Sequence, residues 1–241
     1  MVRNRLIGRH PFQRYVAEFI GTFFIVFGAC GSVISNVASN GSVSLMGIAF
    51  VPGLAVMAMI YTLGPMSAAH FNPAVTIAFA VARRFPWRHV LPYLFAQVLG
   101  ALLASGSHYM LFGAEIAMKA NFGAHIPNTS GSSAFGFELI YGFLLMFVII
   151  AMATDKRVAG PIPGLAIGLT VTMAIILGGP ISGASMNPIR SLAPALFAGG
   201  KALTALPIYL IAPTIGAVLA AIVFELMRDG QTHAQSAPSD L

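Results

Sequence analysis

Gly64-Pro-Met-Ser-Ala-Ala-His-Phe-Asn-Pro-Ala74 is repeated with few changes as Gly179-Pro-Ile-Ser-Gly-Ala-Ser-Met-Asn-Pro-Ile189. The two copies lie 115 residues apart, and each ends in Asn-Pro at the start of an apolar run. Asn is a favoured helix N-cap and Pro is preorganised for the first helical position, so each copy predicts the start of a helix. Two interrupted apolar segments at matching places in two halves indicate a solute path through a membrane.

The composition is that of a membrane protein. Hydrophobic residues make up 57% of the 241 residues and charged residues 8%, whereas about 25% of a soluble domain is charged. Six apolar runs approach the roughly 20 residues that a helix needs to cross a bilayer. These runs cover 15–36, 44–65, 89–112, 134–154, 160–180 and 204–227. Little chain remains for a soluble domain, and the polar residues 229–241 are predicted to form a disordered cytoplasmic tail.

The basic residues are distributed unevenly between the two sides of this six-span arrangement. Of the 13 Lys and Arg residues, only Lys119, Arg190 and Lys201 belong to one side. The other ten precede the first span, follow the last, or lie in the connections on the same side as the termini. Because an excess of Lys and Arg marks the cytoplasmic side, both termini are predicted to be cytoplasmic. The net charge of +6 therefore reflects topology and predicts no nucleic-acid partner.

The repeat extends beyond the two opening stretches. Gly53-Leu-Ala-Val and Gly168-Leu-Thr-Val are again 115 residues apart, and Glu18 and Glu138 each lie in the first run of their half. Three spans per half is an odd number, so the second half is expected to be inverted relative to the first. A half-helix over residues 72–83, about 18 Å long, would then meet its counterpart near the middle of the bilayer.

Two converging helix N-termini predict the chemistry of the path. Each contributes roughly half a positive charge and unpaired N–H groups, which suits a neutral solute with oxygen lone pairs and repels protons and metal cations. Asn72 and Asn187 are expected to cap the half-helices and to present amide donors to the solute. Arg190 is expected to form a constriction near the outer mouth that excludes cations; the alternative is an interfacial Arg that reaches the lipid headgroups.

Other polar residues are expected to support the loops. Glu18 and Glu138 are predicted to accept hydrogen bonds from the two loops, with proton-relay carboxylates of a coupled transporter as the alternative. Gln97 is expected to assist the same packing, and His70 either lines the cytoplasmic half of the path or anchors its loop. The sequence contains no zinc-protease, phosphate-binding or nucleophile motif, so it predicts no enzymatic activity, no cofactor and no metal site.

Ser67-Ala-Ala-His-Phe-Asn-Pro-Ala-Val-Thr76 and Gly183-Ala-Ser-Met-Asn-Pro-Ile-Arg-Ser191 resemble the two signature loops of the aquaporin (major intrinsic protein) family. Ala17-Glu-Phe-Ile-Gly-Thr22 and Ala96-Gln-Val-Leu-Gly-Ala101 are similar to its first and third helices. The resemblance covers about residues 12–228. It implies six spanning helices, two half-helices, one pore per subunit and a homotetramer in a lipid bilayer.

The resemblance also assigns two sets of pore residues. It implies that the two signature triplets form the central constriction: Asn72, Pro73, Ala74, Asn187, Pro188 and Ile189. By spacing from the two asparagines, the outer selectivity filter of the family falls on Pro52, Ile175, Ala184 and Arg190.

This filter departs from that of water-selective members, which usually carry a large aromatic residue at its first position and His at its second. Pro52 and Ile175 imply a wider and less polar opening. That opening is closer to the plant nodulin-26-like subgroup and its bacterial relatives, which pass glycerol, urea or metalloid hydroxides such as arsenous and boric acid. Ile189 replaces the usual Ala and is expected to add bulk beside the central constriction. Ser191 stands where glycerol facilitators typically carry Asp.

Together these observations predict an all-α membrane protein with six transmembrane helices and two re-entrant half-helices in an inverted repeat. A single channel domain would span residues 1–228, with halves at about 12–112 and 134–228. The predicted function is passive passage of water and small uncharged solutes through a plasma membrane, the inner membrane if the cell is bacterial. An ion- or proton-coupled secondary transporter is the alternative.

Overall fold

A computed structural model describes residues 11–154 and 162–235, and the regular structure within these residues is entirely helical. Two short 3-10 turns, Trp87–His89 and Asn121–Gly123, lie in the connections. The α-helices of the described residues are α1 Pro11–Ala38, α2 Ser44–Ser67, α3 Pro73–Val81, α4 Val90–Phe112, α5 Ala114–Lys119, α6 Gly131–Thr154, α7 Ile162–Gly178, α8 Pro188–Ala198 and α9 Gly200–Gln235.

Five of these helices, α1, α2, α4, α6 and α9, are long and apolar enough to cross a membrane. The described part of α7 has 17 residues, which correspond to about 26 Å of helix, and it occupies the place of the remaining predicted span. The half-helices α3 and α8 have only 9 and 11 residues. The fold class predicted from the sequence, six spans and two half-helices, is confirmed.

Glycines set the closest helix contacts, and they do so in the same way in both halves. Gly100 on α4 lies against the backbone of α1, and Gly216 on α9 lies against the backbone of α6; a Cβ at either position would collide with a carbonyl oxygen. Between the halves, α2 crosses α7 at Gly53 and Gly168, where a Cβ on either residue would lie 2.6 Å from the carbonyl oxygen of the other. Small residues allow this approach of helix backbones within a membrane.

Each half-helix begins at the Asn-Pro pair that predicted it. Asn72 and Asn187 are N-caps with extended backbones, and each side-chain Oδ1 accepts a hydrogen bond from the backbone N–H two residues later, at 2.9 and 3.1 Å. The first half-helix ends at Val81, two residues before the predicted end at 83. It ends there because the chain turns at Arg83, whose φ of 56° lies in the left-handed region.

The last helix, α9, continues through Gln235, beyond the point at which the sequence predicts a disordered tail to begin. After Glu225 the chain contains several good helix formers and no proline before Pro238, a composition compatible with a longer helix. The remaining tail residues, 236–241, lie outside the described residues. So do five of the basic residues used to predict the topology: Arg3, Arg5, Arg9, Lys156 and Arg157.

Candidate functional site

The two Asn-Pro loops hold each other at their tips. Asn72 Nδ2 donates a hydrogen bond to the carbonyl oxygen of Met186 at 2.8 Å, and Asn187 Nδ2 donates to that of Phe71 at 3.0 Å. The N-termini of α3 and α8 therefore meet within hydrogen-bond distance of each other's loops. Each amide nitrogen carries two N–H groups. One N–H group of each Asn is used in these hydrogen bonds between the loops, and the second is available to a solute.

The loop backbones adopt conformations that L-residues rarely adopt. Ala68, Ala69 and Phe71 in the first loop have φ values of 69°, 53° and 48°, and Ala184 and Met186 in the second have 49° and 55°. A left-handed residue costs about 1–2 kcal/mol, so both loops need compensating bonds. The unusual conformations also turn successive N–H groups towards the helices behind the loops.

Glu18 supplies those bonds to the first loop. Its carboxylate is fully buried and accepts hydrogen bonds from the backbone N–H groups of His70 and Phe71, at 3.0 and 2.7 Å. Gln97 Nε2 also donates to this carboxylate, at 2.8 Å, and lies 3.1 Å from Thr76 Oγ1 on α3. The first loop is thereby tied to α1 and α4.

Glu138 holds the second loop in the same manner. Its buried carboxylate accepts hydrogen bonds from the backbone N–H groups of Ser185 and Met186, at 2.9 and 3.0 Å, and from Ser182 Oγ at 2.9 Å. The two carboxylates thus occupy equivalent places behind the two loops, and neither belongs to the wall of the cavity described below.

His70 combines the two roles that its sequence position left open. Its Nδ1 lies 3.2 Å from Thr76 Oγ1, and its ring packs against Phe79, Phe85 and Tyr93 with centroid distances of 5.0, 4.7 and 5.2 Å. The residue also contributes to the wall of the cavity. His70 therefore both anchors the first loop and borders the path.

One continuous cavity of about 860 Å³ runs past both loops. Asn72 and Asn187 lie in its wall, together with Val33, Ile60 and Gly164. Among the described residues that line it, none is an Asp or Glu and only Arg190 carries a permanent charge. Within residues 11–154 and 162–235, no group of three or more His, Cys, Asp or Glu side chains is placed to hold a metal ion.

The four residues assigned to the outer filter all line this cavity: Pro52, Ile175, Ala184 and Arg190. Arg190 does not extend to a lipid headgroup region. Its Nη1 donates to the carbonyl oxygen of Gly123 at 2.7 Å, and its Nη2 lies 3.5 Å from that of Ala29. These contacts fix the guanidinium in the wall while some of its five N–H groups remain free to meet a solute.

The six residues that the resemblance assigned to the central constriction fall into two groups in the structure. Asn72 and Asn187 line the cavity, but Pro73, Ala74, Pro188 and Ile189 are buried in protein and do not form its wall. Helix residues rotate by about 100° per position, so the residues that follow each Asn point into the surrounding helices.

Ile189, which the sequence predicts to add bulk beside the central constriction, is not among the residues that line the cavity. Only 3% of Ile189 is exposed, and it packs with Val26, Cys30, Ala101 and Ala104 on α1 and α4. It fills a space between spanning helices and does not narrow the path.

His125 is a cavity residue that the sequence did not reveal. It lies in the connection before α6, is buried, and its Nδ1 is 2.8 Å from Ser191 Oγ and 3.5 Å from Arg190 Nη1. Its ring lies 5.0 Å from that of Tyr209. Burial, and then the neighbouring guanidinium, hold the pKa of His125 well below its usual value. The only sequence signal was a histidine in an apolar stretch of a connecting segment.

These features define a membrane channel: an inverted pair of half-helices, a cavity that runs past both of them, and the fixed cation Arg190 in its wall. Residues 8–224 match the family model described as "Major intrinsic protein". The chain is 46% identical over 219 residues to "Aquaporin NIP1-1" of Zea mays and to "Nodulin-26" of Glycine max. Each alignment covers 90% of this chain, and 76% and 79% of the two relatives respectively.

The fold is similar to the X-ray structure of the aquaglyceroporin from Plasmodium falciparum, with a TM-score of 0.84 at 25% sequence identity. That match covers 93% of this chain and 100% of the other. The chain belongs to the major intrinsic protein family. It is a membrane channel for water and small solutes, and it is not an enzyme.

Proposed function

We propose that this channel passes water together with small uncharged solutes that carry hydroxyl or amide groups, such as glycerol, urea, or arsenous and boric acid, and that it excludes protons and ions. The observation that carries the proposal is the composition of the outer filter. Three of its four residues, Pro52, Ile175 and Ala184, are apolar, and the fourth is Arg190.

This wall suits a carbon-containing solute better than water alone. An apolar face accepts the carbon skeleton of glycerol, while Arg190 donates hydrogen bonds to its oxygens. A filter with an aromatic residue and a histidine would instead be narrower and would offer water an additional polar partner. The name of the structural relative, an aquaglyceroporin, supports the same class of solute.

Electrostatics support the exclusion of ions. The guanidinium of Arg190 and the N-termini of α3 and α8 all place positive potential along the path, and no carboxylate lies among the described wall residues to offset it. A cation would also lose its hydration shell between apolar side chains, at a cost that an uncharged solute does not meet. We propose that Asn72 and Asn187 donate hydrogen bonds to the solute at the middle of the path.

Stopped-flow light scattering of reconstituted vesicles tests this proposal. We expect water, glycerol, urea and boric acid to equilibrate faster than in protein-free vesicles, with rates that do not saturate and do not respond to an uncoupler. Fast water flux with glycerol and urea at the protein-free rate would reject the broad filter. Solute uptake that collapses with an uncoupler would instead indicate coupled transport.

We further propose a homotetramer in a plasma membrane, the inner membrane in a bacterium, with both termini in the cytoplasm. The family resemblance supports four subunits, and the position of the basic residues supports the orientation. Native mass spectrometry should give four protomers; a monomer or dimer would contradict the assembly.

The orientation can be tested by cysteine labelling, because the single native cysteine, Cys30, is buried. Ser130→Cys and Arg88→Cys each introduce a thiol at an exposed position in connections predicted to lie on opposite sides. In intact cells, an impermeant maleimide should label only Ser130→Cys. Labelling of Arg88→Cys alone would indicate the opposite orientation in the membrane.

A further inference from the structure

Pro52 combines two properties: it lies inside helix α2, and it lines the cavity at the outer filter. In an α-helix each backbone N–H donates to the carbonyl oxygen four residues earlier. Proline has no N–H, and its ring also pushes that carbonyl away from the helix axis. The carbonyl oxygen of Ile48 therefore lacks its α-helical donor.

The position of this oxygen follows from the residues that line the cavity. Ile48, Pro52, Val56 and Ile60 all belong to the wall. They are four residues apart and so form one stripe along α2. Helix carbonyls point towards the C-terminus, which places the oxygen of Ile48 between Ile48 and Pro52 on the stripe that faces the path.

A freed carbonyl at this depth needs a partner. A buried backbone acceptor without a hydrogen bond is costly, and within a membrane such groups are satisfied by neighbouring side chains or by a water-filled cavity. The nearest filter side chains, those of Pro52, Ile175 and Ala184, have no donor. Arg190 has donors, but its hydrogen bonds in the structure go to Gly123, His125 and Ala29 and not to Ile48.

We propose that the carbonyl oxygen of Ile48 is a solute-binding acceptor in the outer filter, exposed by Pro52 and complementary to the donor Arg190. A hydroxyl group both donates and accepts, so a polyol or a metalloid hydroxide can bond to both groups at once. The apolar residues between them contact the rest of the solute. This inference rests on the proposed function, since it assigns the substrate class that the filter prefers.

Two substitutions separate this hydrogen bond from the effect of pore width. Pro52→Ala and Pro52→Val both restore the N–H that would occupy the Ile48 carbonyl, but Ala is smaller than Pro and Val is somewhat larger. We expect both variants to reduce glycerol and boric acid permeability, relative to water, by about threefold or more. If width alone mattered, Pro52→Ala would leave that ratio unchanged or raise it, and this result would overturn the inference.

Pro207→Ala is the matched control, because Pro207 is also inside a spanning helix but is exposed on the outer surface of α9 and does not line the cavity. Its ratio of glycerol to water flux should equal that of the unsubstituted channel. A parallel loss of water and glycerol flux in both Pro52 variants would contradict the inference. Absence of glycerol flux in the unsubstituted channel would reject the proposed function itself, whereas an unchanged or raised ratio of glycerol to water flux in Pro52→Ala would reject only the acceptor.

Discussion

The two re-entrant loops are held in nearly the same way. In each loop a buried glutamate, Glu18 or Glu138, accepts hydrogen bonds from two successive backbone N–H groups. A tyrosine hydroxyl, from Tyr93 or Tyr209, donates to the carbonyl oxygen of the serine at the equivalent place in each loop. These bonds compensate for the left-handed backbone of both loops, so the scaffold of the path is symmetric.

The side chains that the loops bring to the path are not symmetric. The first loop contributes His70, which is packed among aromatic rings. The second loop leads into Arg190, which is contacted by His125 from the connection before α6. Duplicated residues therefore hold the loops, and we propose that residues found in only one copy determine what passes. Variants of the loop scaffold and of the path residues test this division.

Removal of either loop carboxylate should give the largest effect, and a similar one in both halves. Glu18→Ala and Glu138→Ala each remove the carboxylate that accepts from three buried donors. At about 1–3 kcal/mol per unsatisfied group, each variant should lose several kcal/mol of stability. The loss can be measured as the yield of folded protein and as thermal unfolding in detergent.

Glu225→Ala provides the control for that comparison. Glu225 pairs with Arg84 at 2.8 Å near the end of α9, where both side chains are about one-fifth exposed. Partly exposed ion pairs contribute about 0–1 kcal/mol, so this variant should unfold near the temperature of the unsubstituted protein. A large loss for only one of the two buried glutamates would contradict a symmetric scaffold.

Alanine substitutions of two isoleucines in the second half should have different effects, one on the stability of the protein and the other on its selectivity. Ile189 packs between spanning helices, so Ile189→Ala should cost about 2–5 kcal/mol of stability and leave the ratio of glycerol to water flux unchanged. Ile175 lines the cavity, so Ile175→Ala should raise that ratio. Thermal unfolding measures stability, and stopped-flow light scattering of the same preparations measures the flux ratio. A changed ratio of glycerol to water flux in Ile189→Ala would indicate that Ile189 contributes to the pore.

Loss of Arg190, the one permanently charged residue among the described residues of the wall, should weaken ion exclusion. Arg190→Ala is expected to raise proton leakage about tenfold or more, since only about 1.4 kcal/mol of lost repulsion is needed for a factor of ten. A pH-sensitive dye inside vesicles, under an imposed potassium diffusion potential, measures the leak. Arg190→Lys keeps the charge and should not raise proton leakage. His70→Ala, in the other loop, should not raise it either. Equal leaks from Arg190→Ala and His70→Ala would contradict the asymmetry.

A change of pH should have the smallest effect on flux. The pKa of His125 is well below its usual value of 6.5 because of burial and the nearby Arg190. The folded channel therefore keeps this ring neutral as the pH falls from 8 to 6, and glycerol flux should stay constant. A titration of flux with a midpoint near pH 6.5 would contradict this.

The lowered pKa of His125 also predicts how the stability of the protein depends on pH. Below about pH 6.5 the unfolded chain binds a proton at this histidine that the folded site excludes. Thermal stability should consequently fall as the pH decreases from 7 to 5. His125→Asn should show a smaller decrease than the unsubstituted channel.

The spans, the inverted repeat and the half-helix starts could be predicted because each has a local signal. Each apolar run is about as long as a helix that crosses a bilayer, and an Asn-Pro pair favours a helix start from its own two residues. The direction of a side chain around a half-helix depends on its neighbours in three dimensions, and for that reason the sequence did not show that Ile189 packs between spanning helices. His125 lies far from Arg190 in the sequence and has no local pattern, so only the fold reveals their contact.

The filter itself provides the most direct test of the account. Pro52→Phe together with Ile175→His places an aromatic ring and a polar ring at two apolar wall positions and leaves both loops and Arg190 unchanged. Stopped-flow light scattering should then show glycerol and urea flux reduced to nearly the protein-free rate, with water flux retained. Unchanged glycerol and urea flux in this double variant would contradict the claim that these wall residues set the selectivity of the channel.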